Sequence, residues 1–154
     1  MDTKTAIVYY SAHHGNTKRL LDAIKKEDLS IKLIDVTKTP IFDLSEYKRL
    51  GVASGIYYSG FSQEIYQFME NNLPAGKQVF ALYTAGILRK GYTRDVQIIA
   101  EHKKCVYLGE YGCRGYDTMG PIKFIGGINL HHPTQEEILK AVIWYRSITP
   151  NDAF

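Results

Sequence analysis

The chain has 154 residues, 45% of them hydrophobic, which is typical of one globular domain expected to span residues 1–154. Its net charge of +3 is too small, and its lysines and arginines too dispersed, to indicate a nucleic-acid-binding protein. Two cysteines exclude a disulfide scaffold and a zinc-binding spacing, and neither a signal-peptide pattern nor an apolar stretch of ~20 residues is present, so we expect a cytoplasmic protein with no membrane partner.

Apolar segments that alternate with amphipathic ones predict an α/β protein. The apolar runs are nearly continuous, as in parallel strands covered on both faces. Strands are predicted over residues 6–10, 31–36, 50–53, 79–83 and 105–108, and helices over residues 20–26, 62–69, 92–100 and 134–145. Ser62 is a predicted N-cap, and Thr134 and Glu137 a capping box. The alternation predicts a three-layer α/β/α sandwich around a parallel sheet, whereas the Gly-rich stretch 109–133 has no clear element.

Ligands of such sheets bind where the strands end, so the residues after each strand are the candidates. The first strand is followed by a polar loop, Ser11-Ala12-His13-His14-Gly15-Asn16-Thr17, that leads directly into a helix. Amide groups at the start of a helix, together with hydroxyl groups, form an anion site that suits a phosphate. The loop is neither a Walker A sequence nor a Gly-x-Gly-x-x-Gly turn, and the alternative is that Ser11 and Asn16 only cap the helix.

The end of this loop, Gly15-Asn16-Thr17, resembles the flavodoxin family, whose first loop is Ser/Thr-x-Thr-Gly-Asn-Thr. The resemblance implies a flavin mononucleotide (FMN) phosphate held by residues 11 and 13–17, and a five-stranded parallel sheet of order 2-1-3-4-5. This loop is one residue longer than the family's, and His14 takes a hydroxyl position. His13 and His14 therefore either contact the phosphate or point to solvent.

The loop after the 50–53 strand, Ser54-Gly55-Ile56-Tyr57-Tyr58-Ser59-Gly60, is similar to the family loop that carries an aromatic ring against the flavin. The resemblance implies cofactor contacts by all seven residues, with Tyr57 as the aromatic. Tyr58 falls where the family has glycine, and a tyrosine at positive φ costs about 1 kcal/mol or more. The alternative is that both tyrosines are ordinary aromatic residues at a strand end.

Two later loops complete the predicted site. Thr84, Ala85 and Gly86 follow the 79–83 strand, where the family has its second flavin-contacting loop. The resemblance implies backbone contacts from these three small residues to the edge of the flavin ring. Tyr111 and Gly112 lie in the stretch 109–117, which either closes over the flavin or forms a partner surface. Cys113 lies in the same stretch, and a free thiol without an activating neighbour is usually inert.

The resemblance implies an FMN-dependent, low-potential electron carrier that meets redox protein partners transiently, as a monomer or weak dimer, with no catalytic side chain and no metal. Carriers of this family are typically acidic, whereas this chain is slightly basic, so its partners are expected to differ. Two alternatives stay open. One is a small FMN-dependent NAD(P)H or quinone reductase, which the absence of a second nucleotide motif disfavours. The other is a flavodoxin-like interaction module that has lost FMN.

Overall fold

A computed structural model describes residues 4–11, 15–118 and 120–150. Within these residues one parallel sheet has the strand order β2-β1-β3-β4-β5, which confirms the predicted α/β fold. The strands are β1 (Thr5–Tyr10), β2 (Lys32–Asp35), β3 (Arg49–Gly55), β4 (Gln78–Ala85) and β5 (Val106–Arg114). The helices are α1 (Asn16–Glu27), α2 (Gln63–Asn72), α3 (Arg94–His102) and α4 (Gln135–Ile148), with a short 3₁₀ helix at Gly120–Ile125.

The hydrophobic core has two halves, one on each face of the sheet. Successive strand residues point to opposite faces, so Ile7 packs with α1 and α4, whereas Val8 packs with α2 and α3. Phe80 and Tyr145 meet in the first half, with ring centroids 5.7 Å apart. Covering both faces explains why the strand sequences are nearly continuous apolar runs.

The two predicted N-caps, Ser62 and Thr134, are correct in position, but only Thr134 caps its helix with its side chain. At α4 the capping box is present, since Thr134 Oγ1 accepts from the Glu137 amide at 3.2 Å and Glu137 Oε1 accepts from the Thr134 amide at 2.8 Å. At α2, Ser62 occupies the N-cap position, but its buried Oγ has no hydrogen-bond partner among the described residues. The Ser62 amide instead donates to Ser54 Oγ at 3.1 Å. The predicted N-cap is therefore confirmed in position, although the Ser62 side chain makes no capping hydrogen bond.

Strand β5 is longer than the sequence predicts. It continues past Leu108 to Arg114 and pairs with β4 along that length, so much of the stretch without a predicted element is strand and 3₁₀ helix. Gly109, at φ 117°, follows the irregularity in the β4–β5 pairing, and a glycine tolerates that backbone. No helix in the described ranges is both long and apolar enough to cross a membrane.

Candidate functional site

Four strands end at one edge of the sheet and enclose a narrow cleft of about 30 Å³ there. The loops after β1, β3, β4 and β5 each contribute to its walls, as the switch-point rule for parallel sheets predicts. The lining residues are Ser11, Asn16, Thr17, Gly55, Ile56, Tyr57, Thr84, Ala85, Gly86, Gly115, Tyr116 and Asp117.

One wall of the cleft is the amino-terminal end of α1. Gly15, at φ 66°, turns the chain into the helix and offers no side-chain cap. The first backbone amides of a helix have no partner within the helix, and they carry a partial positive charge. Ser11 Oγ accepts a long hydrogen bond from the Lys18 amide at 3.4 Å, which holds the preceding loop beside this turn.

The first turn of α1 contains no acidic residue, in contrast to the other three helices. Helix α2 has Glu64 in its first turn, α3 has Asp95, and α4 has Glu136 and Glu137. An acidic side chain in that position stabilises a helix by about 0.3–1 kcal/mol at an exposed site. Its absence leaves the positive end of α1 open to an anion from outside the chain.

Two buried hydroxyl groups lie behind this helix end. Thr17 Oγ1 and Thr84 Oγ1 are 3.0 Å apart and share one hydrogen bond. Each threonine carries one hydroxyl hydrogen, and the hydrogen bond between the two side chains requires only one of them. The second hydroxyl hydrogen is available for donation to an acceptor in the cleft. Both residues line the cleft, and together they join the start of α1 to the end of β4.

The opposite wall lies so close that a side chain at either of two glycines would displace a neighbouring side chain. A side chain at Gly115 would place its Cβ 2.7 Å from Asn16 Nδ2, and one at Gly86 would collide with the Asp117 carboxylate. Asn16 Nδ2 donates to Tyr116 O at 2.7 Å. The segment after β5 is thus bonded directly to the start of α1.

The loop after β3 forms a tight turn that presents Tyr57. Tyr57 and Gly60 exchange two backbone hydrogen bonds, of 2.7 and 3.1 Å. The two central residues, Tyr58 at φ 50° and Ser59 at φ 66°, are both left-handed, as in a type I′ turn. Tyr58 is fully exposed, whereas Tyr57 packs edge-on against Tyr10 with ring centroids 5.6 Å apart.

Tyr57 separates the cleft from a second, wider depression of about 350 Å³. Tyr58, Ser59 and Gly60 line this depression and not the cleft. A flat ligand group that packs against Tyr57 can therefore extend from the cleft into the wider depression.

Comparison with known proteins identifies the family. A family model described as a flavodoxin domain matches residues 7–104, which is more than half of the chain. The chain belongs to the flavodoxin domain family. An uncharacterized protein of Methanocaldococcus jannaschii is 31% identical over 150 residues, which cover 96% of this chain and 99% of that protein.

Solved structures show the same flavodoxin-like fold at low sequence identity. A flavodoxin from the domain Archaea has a TM-score of 0.66 at 17% identity, with 96% of this chain and 99% of that chain covered. General stress protein 14 of Treponema denticola, solved in complex with FMN, has a TM-score of 0.68 at 11% identity, with coverages of 95% and 99%.

Seven described residues of the predicted site do not line the cleft: Gly15, Ser54, Tyr58, Ser59, Gly60, Tyr111 and Gly112. Ser54 is buried beneath its lining and donates through Oγ to Gly55 O at 2.5 Å. Tyr111 donates through its hydroxyl to Glu137 O at 2.7 Å, and Gly112 lies against the ring of Tyr83. His13 and His14 fall outside the described residues, and Gly15 lies at the helix start without lining the cleft.

Sequence reasoning did not assign Gly115, Tyr116 and Asp117 to the site, although they line it. These three residues directly follow β5, which ends at Arg114 and not at Leu108 as predicted. A prediction with the correct strand end would have assigned the sequence Gly-Tyr-Asp to the site. Arg114, the last strand residue, is fixed through its amide, which donates to Glu137 Oε2 at 3.2 Å.

Cys113 does not supply thiol chemistry to this site. Burial, and then the nearby Glu137 charge, raise the pKa of its thiol to about 12. The thiolate is the reactive form, so the thiol is expected to stay protonated and inert near neutral pH. Within the described ranges, no three His, Cys, Asp or Glu side chains come together in a way that could hold a metal ion.

Proposed function

We propose that the chain binds FMN at the cleft and serves as a low-potential electron carrier. The observation that carries the proposal is the start of α1, whose N-cap residue Gly15 has no side chain, whose first turn has no acidic residue, and which forms a wall of the cleft beside Tyr57. A phosphate supplies the negative charge that this helix end lacks. The family membership and the aromatic wall support a flavin as the rest of the ligand.

The residues present fit the parts of FMN. The amides of Asn16 and Thr17 and the hydroxyls of Ser11 and Thr17 would hold the phosphate, because each is a hydrogen-bond donor. Tyr57 would cover the ring system, and the backbone from Thr84 to Gly86 would meet its polar edge. When bound, FMN takes up and releases electrons, and the protein supplies position and electrostatics.

The charges of the residues that line the cleft favour a low reduction potential. Asp117 is an acidic residue among the lining residues, and none of the described lining residues is a lysine or an arginine. A carboxylate and a phosphate near the ring both oppose the addition of negative charge there, most strongly where apolar groups exclude water. The described lining also offers no cysteine or histidine, which supports a carrier over a substrate-specific enzyme.

The phosphate contact can be tested by comparing FMN with riboflavin, which has the same ring but no phosphate. Ser11→Asp would place a negative charge beside the start of α1. We expect it to weaken FMN binding about tenfold or more while riboflavin affinity changes little, since like charges a few ångströms apart repel by more than ~1 kcal/mol. Quenching of flavin fluorescence during titration measures both dissociation constants.

Gln135→Glu is the matched control, because it adds the same charge at the exposed first position of α4. Its FMN affinity should equal that of the unmodified protein. A protein that ignores saturating FMN would overturn the proposal and favour a flavodoxin-like module without cofactor. Rapid oxidation of NAD(P)H by the FMN-loaded protein, with quinone as acceptor, would instead indicate a reductase.

A further inference from the structure

Large apolar side chains are exposed in two segments near the cleft. Ile87 is 56% exposed in the loop after β4, while Phe124 is 82% and Ile125 77% exposed in the 3₁₀ helix after β5. Leu88 is exposed in the loop after β4, and Leu130 is exposed in the chain that follows the 3₁₀ helix. We define these residues together as the rim patch: Ile87, Leu88, Phe124, Ile125 and Leu130.

Hydrogen bonds hold the two segments side by side at the edge of the cleft. Asn129 Nδ2 donates to Gly86 O at 2.6 Å. Asp117 and Ile128 exchange backbone hydrogen bonds of 3.0 and 2.8 Å. Since Gly86 and Asp117 line the cleft, the rim patch begins immediately beside it.

The clustering of these residues separates the patch from ordinary surface. The described part of the chain exposes twelve large hydrophobic residues, and five of them belong to the rim patch. Single exposed apolar residues are normal on soluble proteins, whereas grouped ones mark contact surfaces.

The cations of these segments and of the first turn of α3 are Arg89, Lys90, Arg94 and Lys123, all exposed. No carboxylate in the described ranges lies within ion-pair distance of them, although pairs such as Lys18–Asp22 and Lys140–Glu136 form elsewhere. Lys123 Nζ lies 5.2 Å from the centre of the Phe124 ring, so charge and apolar surface meet directly.

Acidic residues in these segments are fewer. Asp95 follows Arg94 on α3, and Asp117 lies at the cleft. Four cations against two carboxylates leave the region with a net positive charge. A partner with a negative rim around an apolar centre would complement it.

We propose that the rim patch is the docking surface for an acidic redox protein that exchanges electrons with this chain. The inference rests on the proposed function, because it places the partner beside the cleft that would hold FMN. Two copies of the patch would bring like charges together, which disfavours a second copy of this chain as the occupant. An anionic membrane would also complement the positive charge of this region. The position of the rim patch beside the cleft favours a protein partner, because such a partner needs access to the cofactor.

The test uses the FMN-loaded protein and an acidic ferredoxin as the probe, with basic cytochrome c as the opposite-charge probe. Calorimetry measures binding of each oxidised probe, independently of electron transfer. Stopped-flow absorbance measures the transfer of one electron from reduced ferredoxin to the loaded protein. We expect binding of ferredoxin but not of cytochrome c, and a rate that falls as ionic strength rises.

The decisive variant is Arg89→Glu/Lys123→Glu, which reverses two charges at the rim patch. Its matched control is Lys26→Glu/Lys32→Glu, which reverses two charges at exposed positions far from the rim patch. Lys26 lies at the end of α1, and Lys32 begins β2, the outer strand on the side of the sheet opposite β5. The rim variant should lose at least tenfold in ferredoxin affinity and transfer rate, while the control stays within twofold. Both should retain the unmodified FMN dissociation constant.

Equal losses in the two variants, a preference for cytochrome c, or no salt dependence in the unmodified protein would overturn the docking surface. Binding to anionic vesicles but not to ferredoxin, or dimerisation that the rim variant abolishes, would also overturn it in favour of another occupant. Loss of FMN binding by the unmodified protein would contradict the proposed function instead, and the flavin titration detects that separately.

Discussion

Glu137 connects the start of α4 to the end of β5, and replacing it by glutamine should destabilise the fold. Its Oε1 accepts from the Thr134 amide at 2.8 Å and lies 2.5 Å from His132 Nδ1, while its Oε2 accepts from the Arg114 amide at 3.2 Å. Glutamine keeps one acceptor oxygen but turns an NH₂ group toward a backbone donor. Hydrogen bonds to charged groups contribute about 1.5–3 kcal/mol each, and loss of a helix cap costs about 0.5–2 kcal/mol. We expect a loss of about 2 kcal/mol near pH 7.

The effect should shrink in acid. Burial by itself raises the pKa of Glu137, but hydrogen bonds from the Thr134 amide, His132 and the Arg114 amide outweigh it and hold the pKa below its ordinary value of 4.5. Because the folded-state pKa is lower than the unfolded one, the stabilisation is present above the unfolded value and is lost as the pH falls through the folded value. The difference between the two proteins should therefore narrow below about pH 4.5.

Urea unfolding followed by circular dichroism, at neutral pH and at several acidic pH values, measures both effects. Glu136→Gln is the control, because Glu136 is exposed and, among the described residues, pairs with Lys140 at 3.2 Å, one helical turn away. Such surface pairs contribute about 0.3–0.5 kcal/mol. The place of Glu136 in the first turn of α4 contributes about 0.3–1 kcal/mol. Equal losses in the two variants, or a loss in Glu137→Gln that does not depend on pH, would refute the reasoning.

Three other positions offer simple tests. Gly112→Ala would push a methyl group into the Tyr83 ring, so we expect the free energy of unfolding in urea to fall by about 1–3 kcal/mol. The FMN affinity of the folded protein should not change, and weaker FMN binding at full stability would contradict this prediction. Ser59→Gly should stabilise the protein by about 0.5 kcal/mol in the same assay, since it relieves the left-handed φ of 66°, and a loss would argue against the turn. Cys113 should react with Ellman's reagent at least about a hundredfold more slowly in the native protein than in urea, and a fast native reaction would contradict its burial.

The sequence was sufficient for the fold because the local and long-range signals agree. The apolar run around Val8 cannot be covered by one layer, so it indicates a central parallel strand with helices on both faces. Thr134 and Glu137 mark the start of α4 within four residues of chain, and the structure has that capping box. Such features depend on neighbours in the sequence and need no knowledge of distant contacts.

The end of β5 could not be predicted in this way. Gly109 and Gly112 suggest a loop when only neighbouring residues are considered, but both lie within the strand. Gly112 leaves space for the ring of Tyr83, a contact that only the β4–β5 pairing creates. This error affects the predicted site. Because the strand was predicted to end at Leu108 and not at Arg114, the predicted contacts fell on Tyr111 and Gly112 in place of residues 115–117.

The start of α1 differs from the starts of the other three α-helices in the described part of the chain. Helices α2, α3 and α4 each have an acidic residue in the first turn, whereas α1 has none and begins at a glycine. Omitting that charge forgoes about 0.3–1 kcal/mol, which the long hydrogen bond from the Lys18 amide to Ser11 Oγ, at 3.4 Å, offsets only in part. The same turn lies at the end of the sheet where four strands contribute to the cleft. There the hydroxyl groups of Thr17 and Thr84 share a hydrogen bond beside the cleft. Local rules are most often broken at functional sites, so the missing acid is better explained by an anionic ligand than by chance, and bound phosphate would restore the lost stabilisation.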